Sequence, residues 1–322
     1  MNALITRALK ASGYLLVLLG LLLILFSCKD EKKETAPEIE IMEQPSTTYV
    51  DILTVDMDFQ LADTIPSGWT NFRYKNASTQ THFFLIDQYP EGKTSKDAEQ
   101  FVAPVFDKGM KLINEGKIEE GMAAFAELPE WFSQVVFVGG SGLVSPGQVA
   151  ETSINLKPGK YILECYVKMS NGVFHTSMGM TKDLVVSDMD SGNEEPTATV
   201  GIELSSTEGI VIADSLSVGQ HLFKVHYKDQ IVHENFVGHD ISLVRLEEGA
   251  QLDSLELWMN WAHPKGLIEP APENVIFLGG VNDMPAGSTA YFKANLSPGD
   301  YALISEVPNA MAKKLLKTFK LQ

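Results

Sequence analysis

Beyond residue 48, short apolar or alternating runs are separated by Gly, Pro, Asn and Asp. Such runs cover residues 49–55, 82–86, 135–138 and 161–167. Alternation over a few residues between turn formers predicts β-strands, and about seven fall in each half of the chain. The pattern predicts a mainly β protein with two β-sandwiches, each of two antiparallel sheets packed face to face.

One stretch has helical spacing instead. Val102, Phe106, Met110 and Ile113 recur every three or four residues. This period predicts a helical insert in the first sandwich, at about residues 95–130. Its methionine and phenylalanine side chains are expected to pack against the β domain.

The second half of the chain repeats the first. His82 and the Glu-Gly pair at 91–92 match His239 and the Glu-Gly pair at 248–249 at identical spacing. The other matches are residues 63–68 with 214–219, 137–140 with 277–280, and 156–161 with 296–301. Self-similarity over this length predicts two copies of one domain. Domain 1 is expected at residues 48–187 and domain 2 at 197–322, joined by an acidic linker at 188–196.

The first 47 residues differ in composition. Two basic residues precede an apolar run at 14–26, which has the length of a signal peptide and is short for a membrane span. The run ends in the letters LFSC and resembles the lipobox of bacterial lipoproteins. That resemblance implies a signal peptide at 1–27 and acylation of Cys28. The alternative is an uncleaved N-terminal anchor.

The segment after Cys28 is charged and contains two prolines. Its composition predicts a flexible tether over residues 28–47. Lys29, Asp30 and Glu31 resemble the surface-export signal of Bacteroidota lipoproteins. The implied location is the cell outer membrane, with a lipid anchor and surface exposure.

The charge balance is strongly acidic. The formal net charge of −17 becomes −19 without residues 1–27, which carry Arg7, Lys10 and no acid. A surface of this sign repels phosphate backbones, which argues against a nucleic-acid partner. It also disfavours electrostatic binding to anionic lipid, so acyl chains are expected to make the membrane link.

Candidate chemistry lies late in domain 1. Cys165 is the one cysteine outside the leader, and His175 and Met180 follow it. With His82 from an earlier strand, they supply a thiolate, two imidazoles and a thioether, the ligand set of a mononuclear blue-copper site. Met178 competes with Met180 for the axial position. The alternative is a vestigial site in which Cys165 is a small buried apolar residue.

Both halves resemble cupredoxins. In domain 1 the resemblance rests on residues 63–72, on the Gly-Gly and Pro-Gly turns that follow, and on Cys165-x9-His175-x4-Met180 with Gly179 before the methionine. It implies Greek-key sandwiches and one type 1 copper ion bound by His82, Cys165, His175 and Met180. The cysteine-to-histidine gap resembles that of copper nitrite reductases. Because nothing here matches their type 2 copper histidines, reductase activity is not implied.

The second copy departs from this pattern. Ser305 stands at the position of Cys165, and residues 306–317 contain no histidine, although His239 keeps its place. A lone histidine does not hold a type 1 site, so domain 2 is expected to be metal-free.

These features predict electron transfer or copper binding at the cell envelope, with a redox protein or a surface ligand as partner. The alternative is a metal-free cell-surface module that binds protein or glycan. An enzyme has little support, because the sequence has no second metal cluster, Ser/His/Asp motif or phosphate-binding glycine loop.

Overall fold

A computed structural model describes residues 48–322. The predicted signal peptide, the acylation site Cys28 and the tether lie outside the described residues. No helix in the described part of the chain combines the length and apolarity that a membrane span requires.

The described chain is mainly β with a helical insert, which confirms that part of the predicted fold class. Following the sequence repeat, residues 48–187 are called domain 1 and residues 197–322 domain 2. The strands of domain 1 are β1 (Tyr49–Val55), β2 (Asp58–Gln60), β3 (Thr64–Asn76), β4 (Leu85–Gln88), β5 (Val136–Gly140), β6 (Val149–Leu156), β7 (Gly159–Glu164) and β8 (Thr181–Asp190). The strands of domain 2 are β9 (Val200–Ser205), β10 (Gly209–Ile212), β11 (Gly219–Tyr227), β12 (Ile241–Leu246), β13 (Val275–Val281), β14 (Thr289–Leu296), β15 (Gly299–Ile304) and β16 (Leu316–Leu321).

The helical insert of domain 1 is confirmed and lies between β4 and β5. Its main helices are α1 (Ala103–Asn114) and α2 (Ile118–Ala124). They are flanked by a helical turn (Ser95–Asp97), a π-helical turn (Ala98–Val102) and two 3₁₀ turns (Phe125–Glu127 and Glu130–Gln134). Met110, Ile113 and Phe125 are buried in the common hydrophobic core, as their spacing predicted.

Domain 2 also has a helix between the equivalent strands. Helix α3 (Leu252–Met259) lies between β12 and β13 and was not predicted. Leu255, Trp258 and Met259 form its buried face. The helix has only eight residues, which is short for recognition by periodicity alone.

Purely antiparallel sheets were expected, but the structure also contains parallel strand pairs. Strand β1 runs parallel to β3, β9 runs parallel to β11, and β3 runs parallel to β8. In domain 1 the cause is the long strand β3, whose first residues pair with β8 and whose later residues pair with β1 and β6. After β2, the chain therefore pairs first with β8 and only then returns to lie beside β1.

The two domains are joined through equivalent strands. Strand β6 pairs antiparallel with β14, with Ile154 opposite Ala290 and Thr152 opposite Phe292. Twelve strands thus form one continuous hydrogen-bonded sheet, while β13, β12, β15 and β16 form a second. The largest hydrophobic core cluster draws residues from both domains.

Strand register confirms the sequence repeat. Gly68 lies opposite Leu156, and Gly219 lies opposite Leu296. Leu85 lies opposite Glu164 in the same way that Ser242 lies opposite Ile304. The two copies therefore share one alignment of backbone positions.

The repeated Gly-Gly pair has a steric cause. Gly139 and Gly279 have φ of 107° and 98°, a left-handed region that favours glycine. A Cβ added to Gly140 would lie 2.0 Å from the Phe84 carbonyl oxygen, and one added to Gly280 would lie 2.0 Å from that of Ile241. Both copies need glycine because the neighbouring strand passes too close for a side chain.

Candidate metal centre

Three of the four predicted ligands meet inside domain 1. The potential ligand atoms of His82, Cys165 and His175 all lie within 4.8 Å of one another, and the three side chains are fully buried. Residues separated by up to 93 positions in sequence therefore converge on one point.

His82 is held just before β4 by a short bridge to the segment after β5. Its N–H donates to the Val144 carbonyl oxygen at 3.1 Å, and the Val144 N–H donates back at 2.7 Å. The bridge fixes the backbone from which the imidazole reaches the cluster.

Cys165 follows the last residue of β7. Its N–H donates to the Met180 carbonyl oxygen at 3.4 Å. The backbone N–H groups of Phe83 and Val167 hydrogen-bond to the cysteine sulfur. Two amide dipoles therefore point at the atom that would carry the charge of a thiolate.

A tight loop connects His175 to Met180. The His175 N–H donates to the Val167 carbonyl oxygen at 2.8 Å, and the Met180 N–H donates to the His175 carbonyl oxygen at 2.9 Å. Gly179, with φ of 94°, allows the chain to turn back into β8. Met180 is fully buried, whereas Met178 is 55% exposed, so burial favours Met180 as the candidate axial ligand.

The imidazoles present the same nitrogen to the sulfur. His82 Nδ1 lies 3.6 Å and His175 Nδ1 lies 3.7 Å from Cys165 Sγ. Both Nε2 atoms are buried and have no hydrogen-bond partner among the described residues. Since a thiol has one proton to donate, it satisfies at most one of the two imidazoles by S–H donation.

Burial governs the protonation of the cluster. Desolvation, followed by the neighbouring His175, lowers the pKa of His82 to about 3. Desolvation lowers the pKa of His175 to about 4. Burial raises the pKa of Cys165 to about 12, against the opposing effect of the two amide hydrogen bonds. At neutral pH the cluster holds two neutral imidazoles, and its sulfur is a thiol unless a cation displaces the proton.

Domain 2 provides no such cluster at the equivalent positions. The Ser305 N–H donates to the Leu315 carbonyl oxygen, and the Leu315 N–H donates to that of Ala310, which reproduces the backbone bonds of domain 1. Ala310 and Leu315 therefore occupy the places of His175 and Met180. His239 Nε2 is 2.8 Å from His233 Nε2, so this histidine has a partner that His82 lacks.

The insert and domain 2 cover the centre. Ser177 donates to the Asp107 carboxylate of α1 at 2.8 Å, beside the His175 loop. Phe106 of α1 and Trp261 of domain 2 lie 6.0 and 5.9 Å from the Phe174 ring, measured between centroids. No pattern in the sequence indicated that two separate segments would pack against the loop of His175.

Lys168 is an important residue that sequence reasoning missed. It is fully buried at the domain interface, where its Nζ donates to the carbonyl oxygens of Trp261 and His263 at 2.8 and 3.1 Å. Burial lowers the pKa of Lys168 to about 7. Its partners are more than 90 positions away, so no local pattern could reveal the role.

No family model matches the chain, and no curated protein matches it. Among solved structures, reduced auracyanin from Roseiflexus castenholzii is similar at 18% identity, covering 44% of this chain and 98% of that one, with a TM-score of 0.27. Auracyanin A, a "blue" copper protein from Chloroflexus aurantiacus, is 19% identical over 44% of this chain and 98% of that one, with a TM-score of 0.26.

A copper nitrite reductase from Nitrosomonas europaea is similar over more of the chain. Its identity is 12%, it covers 85% of this chain and 94% of that one, and its TM-score is 0.23. With TM-scores this low, the description of the site rests on its own geometry. That geometry is a buried thiol–imidazole cluster within a mainly β fold.

Proposed function

We propose that domain 1 binds one copper ion as a type 1 centre and transfers electrons, or handles copper, at the cell envelope. The observation that carries the proposal is the placement of two imidazole Nδ1 atoms 3.6 and 3.7 Å from the sulfur of Cys165. Metal–sulfur and metal–nitrogen bonds of about 2.3 and 2.0 Å can span these separations.

The donor set fits copper. A thiolate with two imidazoles and a weak thioether is the ligand combination of blue-copper electron-transfer sites. His82, Cys165 and His175 would hold the ion, and Met180 would be the axial ligand. Copper would supply a one-electron couple that no side chain here provides.

The surrounding residues suit that couple. Full burial of the three side chains excludes water, which favours small reorganisation when the charge changes. The amide groups of Phe83 and Val167 stabilise negative charge on the sulfur and compete with its donation to the ion. Hydrogen bonding around the cysteine sulfur is an established means of tuning potential in such sites.

The test is to load purified protein with Cu(II) and record its absorption spectrum. We expect an intense thiolate-to-copper charge-transfer band in the red, with one copper per chain. Cys165→Ser should abolish the band. The chain has a second cysteine, so Cys28→Ser is the matched control and should retain the full band.

Three outcomes would overturn the copper proposal: a colourless protein after loading, colour that survives Cys165→Ser, or equal binding of Zn(II) and Cu(II) without a charge-transfer band. Thermal unfolding of each variant, measured without metal, separates loss of ligand from loss of fold.

The envelope location is a separate proposal, supported by the sequence alone. We propose that Cys28 is acylated and anchors the protein in the outer membrane, facing outward. Mass spectrometry of the native N-terminus should find diacylglyceryl Cys28. An intact leader on the mature protein would contradict this assignment.

Domain 2 supports a second candidate function, a metal-free module for interaction at the cell surface. Ser305, Ala310 and Leu315 replace three ligand positions while the backbone hydrogen bonds are kept. Because domain 2 keeps the fold without the ligands, we infer that it serves to bind a partner or to cover domain 1. A domain 1 that fails to bind copper and a freely alkylated Cys165 would favour this function for the whole chain.

A further inference from the structure

A cavity of about 490 Å³ lies between the insert, the strands that carry the candidate metal centre and domain 2. This volume is in the range of small-molecule sites, roughly 300–1,000 Å³. Its wall includes Glu164 and Tyr166, on either side of Cys165, and Phe174 and Thr176, on either side of His175. The cavity therefore adjoins the candidate centre without including its ligand side chains.

Carboxylates of domain 2, Asp240, Asp283 and Glu306, line the cavity together with Glu164 of domain 1. Asp240 accepts from the Ser305 hydroxyl at 2.7 Å and from the Glu306 N–H at 2.6 Å. Asp283 accepts from the Gln230 amide at 2.7 Å and from the Gly238 N–H at 3.0 Å. These are neutral donors, so the hydrogen bonds orient the acids without neutralising them.

Glu306 is the least satisfied member of this group. Its Oε2 accepts from the Tyr166 hydroxyl at 3.0 Å. Its Oε1 is buried, and no partner for it exists among residues 48–322, although the residue lines the cavity. A buried polar atom without a partner is destabilising, so this oxygen marks a place where a donor is missing.

No lysine or arginine in the described chain forms an ion pair with Asp240, Asp283 or Glu306. Lys168 acts on Glu306 at longer range, but its Nζ is occupied by two carbonyl oxygens. Burial raises the pKa of Glu306 and, to about 8, that of Asp283. A cation in the cavity would favour the ionised form of these acids.

Aromatic rings also line the cavity. Phe106 and Trp261 lie 5.6 Å apart between ring centroids, and Phe174 and Phe236 also line the cavity. Aromatic faces attract organic cations and apolar groups alike. Polar and apolar side chains thus line the same cavity.

We propose that this cavity binds a small organic cation, with an aromatic or apolar body against Phe106 and Trp261 and an ammonium group donating to Glu306. The proposal goes beyond the copper function and does not depend on it. A bare metal ion suits the site less well. Within the described residues, the one group of three His, Cys, Asp or Glu side chains close enough to share an ion is His82, Cys165 and His175.

The test is isothermal titration calorimetry of metal-free protein with 2-phenylethylamine and with its neutral analogue 2-phenylethanol. Tryptamine serves as a second, larger amine. We expect saturable binding of at least one amine, about tenfold or more tighter than the alcohol. Glu306→Gln keeps an acceptor for Tyr166 but removes the charge, and it should bring the amine down to the affinity of the alcohol.

Glu203→Gln, an exposed acid on β9, is the matched control and should bind the amine as the native protein does. Equal affinity for amine and alcohol, an unchanged affinity in Glu306→Gln, or no saturable binding of either amine at millimolar concentration would overturn the proposal. Thermal unfolding without ligand checks that Glu306→Gln is folded. Because the protein contains no copper in these titrations, failure here is distinguishable from failure of the copper proposal.

Discussion

The two sandwiches share a backbone and differ in the side chains at one end. His82, Cys165, His175 and Met180 of domain 1 stand where domain 2 has His239, Ser305, Ala310 and Leu315. Two backbone hydrogen bonds that link the last three positions recur in both copies, whereas His82 is held by the Val144 backbone and His239 by the Gln230 side chain. The comparison teaches that the fold positions the ligands but does not require them.

The residues next to the ligand positions also differ between the two copies. Tyr166 and Glu306 occupy equivalent positions and hydrogen-bond to each other across the domain interface. Phe83, whose N–H points to the Cys165 sulfur, corresponds to Asp240, whose N–H donates to the Ser305 hydroxyl at 3.3 Å. Domain 2 thus contributes Asp240 and Glu306 to the cavity, to which domain 1 contributes Glu164.

The largest expected effect tests whether the backbones are equivalent. Gly140→Ala and Gly280→Ala each place a Cβ about 2.0 Å from a carbonyl oxygen of the neighbouring strand. We expect each to lower the free energy of unfolding by about 3 kcal/mol or more, because strand and turn must both shift. Urea unfolding measures the loss. A native urea midpoint for either variant would show that the two copies are not equivalent at this position.

The next largest effect tests the ligand set. His175→Ala gives domain 1 the alanine that domain 2 has at the equivalent position, Ala310. We expect the charge-transfer band to disappear and the Cu(II) affinity to fall at least about a hundredfold, roughly 2.7 kcal/mol, since one of two imidazoles is lost. Competition with a chelator measures the affinity. His233→Ala is the control in domain 2 and should leave copper binding unchanged.

A smaller effect tests the buried acids. Burial, followed by the nearby Asp240, raises the pKa of Asp283 to about 8, whereas an unfolded aspartate titrates near 3.8. The folded state therefore holds a proton that the unfolded chain has released, and the free energy of unfolding falls as pH rises through this window. Because water can enter the cavity, we expect a loss of about 1–2 kcal/mol.

The measurement is urea unfolding between pH 6.5 and 8, compared between the native protein and Asp283→Asn, because unfolded histidines, Glu164 and Lys168 titrate in both proteins and cancel in the difference. Asp283→Asn should flatten the slope, and the exposed Asp188→Asn should not. An unchanged slope in Asp283→Asn would show that this carboxyl is ionised in the folded protein.

The smallest effect concerns the axial position. Met180→Leu copies Leu315 of domain 2 and replaces a thioether with a hydrocarbon of similar volume. We expect Cu(II) affinity within about tenfold of the native value, because axial ligation is weak. The reduction potential should rise, since a donor to Cu(II) is removed, and voltammetry measures it. The exposed Met178→Leu should leave the potential unchanged. A shifted potential in Met178→Leu would instead identify Met178 as the axial ligand.

Much of the fold was predictable because its sequence pattern occurs twice in the chain. The matched residues 63–68 and 214–219, and the two Gly-Gly pairs, reflect steric needs that recur at the same register. The cluster of Cys165, His175 and His82 was predictable because rare residue types stood at a family's spacing. Met180 remains a prediction, supported by its burial.

Other features could not be read from the sequence. Helix α3 is too short for a clear period. The burial of Lys168 depends on carbonyl groups 93 and 95 positions away. The approach of Asp240, Asp283 and Glu306 to one cavity depends on how the two domains meet, and periodicity identifies which face is buried but not against what.

The pairing of β6 with β14 also bears on how the copies behave apart. A sheet edge with unpaired amide and carbonyl groups invites association with other chains. Here each copy covers that edge of the other, as two subunits would, and the covalent link keeps the effective concentration high. Separated from domain 2, domain 1 would present the β6 edge together with the rings of Phe106 and Phe174, so self-association is the expected fate of the isolated half.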